Sequence, residues 1–177
     1  MLKNDPMGDS FLPAGIRSHT CVDEWMESQV PLCRLGDTLA QATRTMLLAS
    51  EDMIVVVDRM QRVVGMLHDR DVAIATYVHG RTYDMIYIND AMRLLPTLLH
   101  PNQTVGHAED LMHTYNLRAL PVVDEFNRPV GLLTFERMIT MALETSSHPV
   151  MLRRMIDALG RLGDGNCLDQ GMVRRRY

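Results

Sequence analysis

The hydrophobic pattern reads as one set of elements written twice. Leu39, Ala42, Met46 and Leu47 recur at helical spacing, and so do Val105, Ala108, Leu111, Met112 and Tyr115. Thr38 with Gln41 forms a capping box, in which hydroxyl and amide satisfy free N–H groups of the first turn. Met53 to Val57 and Ala119 to Val123 are continuous apolar runs, as expected of strands covered on both faces. Polar turns follow at 58–62 and 124–128, then second strands at Val63 to Leu67 and Pro129 to Leu133. An extended piece precedes each first helix, at Val30 to Arg34 and Pro96 to His100. A last helix begins just after His68, on Val72, Ala73 and Tyr77, and just after Thr134, on Met138, Ile139 and Ala142. Each copy reads β-α-β-β-α, which places the chain in the α/β class, of the α+β type.

Sliding the sequence against itself by 66 residues shows the duplication directly. Twelve identities fall between residues 22 and 75 without a gap, among them Val56-Val57-Asp58 on Val122-Val123-Asp124. Chance at ordinary composition gives about three or four. The repeats are read as residues 21–81 and 82–145. One unit buries too little surface to stand comfortably alone, whereas two packed together reach domain size.

Three stretches lie outside the repeats. Residues 1–20, with Pro6, Gly8, Pro13 and Gly15 and no period, read as a mobile arm. Residues 146–163 read as an added C-terminal helix with Leu152, Met155, Ile156, Leu159 and Leu162 as its apolar stripe, facing either its own domain or a second subunit. Residues 164–177, with Arg174-Arg175-Arg176, read as a loose basic tail.

Composition narrows the classes. With 177 residues, 46% hydrophobic and 23% charged, the chain is an ordinary globular one. A net charge of −4 makes nucleic acid an improbable partner. No apolar run approaches a membrane span, and the N-terminus has no secretory h-region. Three Cys, widely spaced and without Cys-x-x-Cys, suggest neither zinc nor a disulfide framework, and the simple reading is cytoplasmic. Fifteen Met fit either an adaptable surface or plain core packing. No metalloprotease, phosphate-loop or nucleophile-elbow motif occurs, so no enzyme is expected.

Ala119-Leu120-Pro121-Val122-Val123-Asp124, a turn, then Arg128-Pro129-Val130-Gly131-Leu132-Leu133-Thr134 resembles the CBS (cystathionine beta-synthase) domain, and Ile54 to Asp71 resembles it less fully. The resemblance implies a tandem pair with pseudo-twofold symmetry, a Bateman module, and clefts between the repeats. It further implies an adenosine-containing ligand such as AMP, ADP, ATP or S-adenosylmethionine, a homodimer, and an unidentified protein that the pair regulates.

The family's ligand motif runs Gly, two apolar residues, Thr or Ser, two variable residues, then Asp or Asn. Here it is kept in halves. The first copy has Gly65 and Asp71, with His68 in place of the hydroxyl; the second has Gly131 and Thr134, with Arg137 in place of the acid. Glycine permits close backbone approach, and a hydroxyl at a helix start suits a phosphate. Asp71 would accept from ribose, and His68, Thr134 and Arg137 would meet phosphate. By alignment Val30, Leu32 and Ile54, with Leu98, Leu120 and Pro121, would line adenine, and Arg118 would add a phosphate contact where its counterpart is Asp52. Thr134 as a plain helix cap, Asp71 as a dipole partner and the apolar set as ordinary core are the structural alternatives. The expected function is a non-enzymatic sensor of such a ligand, with a ligand-free interaction scaffold as the rival.

Overall fold

The computed structural model describes residues 10–145. The expected C-terminal helix and basic tail lie outside the described residues. In the first repeat, strand β1 (Leu32–Arg34) leads to helix α3 (Leu39–Ala49), strands β2 (Met53–Val57) and β3 (Val63–His68), and helix α4 (Asp69–His79). In the second, helix α5 (Val105–Tyr115) leads to β4 (Ala119–Val123), β5 (Pro129–Thr134) and α6 (Phe135–Thr145). Two short helices, α1 (Ala14–His19) and α2 (Val22–Trp25), precede the first repeat.

Each first helix starts at its threonine cap. The Thr38 hydroxyl accepts from the Gln41 N–H, and that of Thr104 from the His107 N–H. Each helix stops at a left-handed residue, Ser50 and Asn116, again 66 apart. The hairpins repeat too. Asp58 accepts from the N–H groups of Met60 and Arg62, and Asp124 from those of Phe126 and Arg128. In each turn the aspartate also pairs with the arginine side chain four residues on.

β1 runs parallel to β2, and β2 antiparallel to β3. β4 and β5 pair in the matching register, Val56 opposite Gly65 and Val122 opposite Gly131. The expected extended piece at 96–100 shrinks to one parallel bridge, Leu99 to Val122, which matches Cys33 to Val56. Pro96 and Pro101 flank it and lack the N–H groups a longer ladder needs.

The lead-in segments are exchanged between the repeats. Val22 and Trp25 pack in the core of the second repeat with Leu120 and Met138. Ile86 and Ile88 pack in the core of the first with Leu39 and Ile54. Backbone bonds seal the exchange: Val22 N–H to Gln103 O at 2.8 Å, and Ile88 N–H to Asp37 O at 3.0 Å. A third cluster of Met53, Val55, Met66, Ala119 and Leu132 joins the two sheets.

Further expectations are corrected, among them Leu47, read into the apolar stripe of α3 and found exposed. Of the arm expected over residues 1–20, residues 1–9 lie outside the described residues, and residues 10–20 are not loose: Phe11 and Leu12 are buried, and Arg17 pairs with Glu109 and Asp110 on α5. Their apolar side chains find a groove that a reading of local composition cannot see. On α4 the buried face is Val72 and Ala75, while Tyr77 is 90% exposed and Ala73 also faces out. Among the described residues, no helix is long and apolar enough to cross a membrane.

Candidate functional site

Two matching seams lie where a lead-in of one repeat crosses the sheet of the other. At the first seam, Arg93 pairs with Met66 of β3 through two backbone bonds of 2.8 and 3.0 Å. At the second, Glu27 pairs with Leu132 of β5 through two bonds of 2.9 Å. These contacts explain the motif glycines. A Cβ on Gly65 would strike the carbonyl oxygen of Arg93, and one on Gly131 would strike the thioether of Met26. The close approach that glycine allows is therefore spent on the other repeat's chain.

Directly after each glycine, the strand runs into a helix, and here the seams diverge. In the first, the Asp71 side chain is 6% exposed. Arg93 grips its Oδ1 through Nε at 2.8 Å and a terminal nitrogen at 2.6 Å. Oδ2 accepts from the His68 N–H at 3.2 Å, and His68 Nδ1 stands 3.3 Å away, without hydrogen-bond alignment. Burial alone would raise the Asp71 pKa. Hydrogen bonds from His68 and Arg93, with the arginine charge, outweigh it and hold the carboxyl below its ordinary value. The Arg93 side chain remains 41% exposed, so one end of the pair faces outward.

The second seam carries the opposite charges. Arg137 stands where the offset places Asp71, Glu27 where it places Arg93, and Arg118 where it places Asp52. The Thr134 hydroxyl accepts from the Arg137 N–H at 3.0 Å and so caps α6. Arg137 Nε donates to the Trp25 carbonyl at 3.1 Å, inside the exchanged lead-in. Glu27 belongs to an acidic group. Burial, followed by the charges of Glu27 and Asp52, raises the pKa of Glu51.

The remaining predicted site residues divide by depth. Leu32 is 38% exposed and Leu98 half-buried, while Ile54 and Leu120 are fully enclosed in separate cores and Pro121 is buried in β4. Arg118 is exposed, and its carbonyl accepts the Phe135 N–H at the start of α6. Sequence reasoning missed Arg93 and Glu27. The signal was present: the 66-residue offset that reverses Asp71 to Arg137 also reverses Glu27 to Arg93. Cys21, Asp23 and Glu24 bring three metal-capable atoms within 4.8 Å. Two of these residues are already used as the helix cap, since Glu24 accepts from the Cys21 N–H.

The model of the CBS domain matches residues 22–76 and again 88–144. The chain belongs to the CBS domain family. A CBS domain-containing protein of Bacillus subtilis, YhcV, is 32% identical over 63% of this chain and 78% of its own length. Two longer curated relatives named as enzymes are matched over only 23% and 18% of their lengths. The CBS domain pair of protein MJ0100, solved with 5′-methylthioadenosine and S-adenosyl-L-methionine, superposes with a TM-score of 0.64 at 22% identity, covering 72% of this chain and 98% of that one. CBSX2, solved with AMP, superposes at 0.62 and 20% identity, covering 71% and 98%. At such identities the likeness establishes the fold: a CBS pair.

Proposed function

We propose that this CBS pair is a regulatory module that takes a phosphorylated adenosine ligand at the first seam. The observation that carries the reading is the Asp71–Arg93 pair. A buried carboxylate held ionised suits the two hydroxyls of a ribose, and a half-exposed arginine beside it suits a phosphate. The second seam offers the Thr134 hydroxyl and Arg137, but it lacks the ribose acceptor, and Glu27 opposes an anion there. Adenosine compounds bound to the pairs of MJ0100 and CBSX2 support the ligand class.

A ligand that draws Arg93 away from Asp71 acts on the joint between the repeats, because the Arg93 backbone belongs to one repeat's lead-in and its partners to the other. That differential contact is what a shift between two states requires. A homodimer and an unidentified regulated protein complete the proposal. Thermal unfolding with AMP, ADP, ATP and S-adenosylmethionine at millimolar concentration tests it. A phosphorylated member should raise the Tm, and Asp71→Asn should abolish the rise. No shift with any of them rejects the reading.

One observation favours a ligand-free interaction scaffold: Asp71 and Arg93 already satisfy each other. The scaffold reading predicts an unchanged Tm across the whole panel.

A further inference from the structure

The N-terminal segment, residues 10–17, occupies a seat built on the second repeat alone. Glu109 on α5 is 4% exposed and gathers four donors from it. Its Oε1 accepts from the Phe11 N–H at 2.6 Å and the Leu12 N–H at 3.4 Å; its Oε2 accepts from the Ser10 hydroxyl at 3.0 Å and from Arg17. One turn earlier, Gly106 leaves room for the strap's backbone. A Cβ there would lie 2.7 Å from the Arg17 carbonyl oxygen. Phe11 meets Phe135 edge to face, with ring centroids 4.6 Å apart.

Phe135 is the first residue of α6, directly after the cap residue Thr134. The same cluster holds Trp25, whose carbonyl receives Arg137. In the first repeat the matching segment, Tyr83–Met85, packs on α3 as α1 packs on α5, but without this carboxylate hub or ring pair. The offset puts Ala40 at Gly106, Thr43 at Glu109 and Asp69 at Phe135. The Thr43 hydroxyl is buried with no hydrogen-bond partner among the described residues.

From this asymmetry we infer that residues 10–17 form a releasable strap coupled to the second motif: docking holds the Thr134–Arg137 cap in place, and release loosens it. The strap gives that motif a connection to the N-terminus that the first motif lacks. The inference does not rest on any ligand reading.

Amide hydrogen exchange on the full chain tests it without a ligand. Gly106→Ala pushes at Arg17 while favouring the helix it sits in, and Glu109→Ala removes the four-donor acceptor. Both variants should speed exchange at Phe11 and Leu12 by roughly tenfold or more, the scale of a lost hydrogen bond to a charged group. Trypsin should also cut sooner after Arg17. The Phe135 and Arg137 amides should accelerate in step, while Asp69 and Asp71 in the first repeat keep their wild-type rates. A released strap with unchanged Phe135 and Arg137 overturns the coupling. Undiminished protection of Phe11 in both variants overturns the strap.

Discussion

The two seams of this CBS pair share a backbone and differ in charge. Strand register, glycine position, helix caps and hairpin aspartates coincide at the 66-residue offset. The side chains around the motifs do not: Asp71 and Arg93 face Arg137 and Glu27 as opposites. What coincides serves the local geometry of each half, as where Asp58 and Asp124 accept the N–H groups of their own turns. What differs projects where the lead-in of the other repeat crosses over. There a reversed charge leaves the backbone pairing intact, and the two seams are free to prefer different partners.

The largest effect that probes this comparison is steric. Gly65→Ala drives a methyl into a backbone carbonyl, which cannot yield, and should cost about 2–3 kcal/mol in denaturant unfolding. Gly131→Ala meets the end of a flexible Met26 side chain and should cost about 1 kcal/mol. Equal losses would mean that the seams do not differ in rigidity.

Next in size is the charged pair. Arg93→Ala leaves the Asp71 carboxylate buried without its main donor and should cost about 1.5–3 kcal/mol. Arg137→Ala, which frees a carbonyl acceptor, should cost about 1 kcal/mol. A reversed order would place the stronger joint at the second seam.

A smaller effect appears in acid. Because the folded Asp71 pKa lies below its ordinary value, the carboxylate adds stability above that value and loses it as pH falls through the folded pKa. Arg93→Ala should raise the Asp71 pKa and shrink this acid-labile part; a carboxyl titration by NMR reads both. An unmoved pKa would deny that Arg93 holds the charge. Smallest of all, Asp58→Ala and Asp124→Ala should lower the Tm slightly and equally, because the two turns are bonded alike.

Elements governed by local rules were legible in the sequence. The starts at Thr38 and Thr104 follow from caps, and the strands at 53–57 and 119–123 from unbroken apolar runs. The exchange of lead-ins was not, because which half Val22 and Ile88 join is decided by contacts far along the chain. The face of α4 was misread for a related reason: tertiary packing selects Val72 and Ala75 and leaves Tyr77 outside. At the site, Gly65 and Asp71 were readable as a spaced motif. Arg93 was legible only through the charge reversal at the 66-residue offset, since it reaches Asp71 from 22 residues away on an exchanged segment. Strap docking escaped notice as well, because Glu109 looks like a solvent-facing helix residue until Ser10, Phe11, Leu12 and Arg17 converge on it.

Native mass spectrometry with AMP tests most directly whether the seams are electrostatic opposites. The account predicts one AMP per chain, lost in Arg93→Ala and kept in Arg137→Ala. Two AMP per chain, or binding that survives Arg93→Ala and disappears in Arg137→Ala, would contradict it.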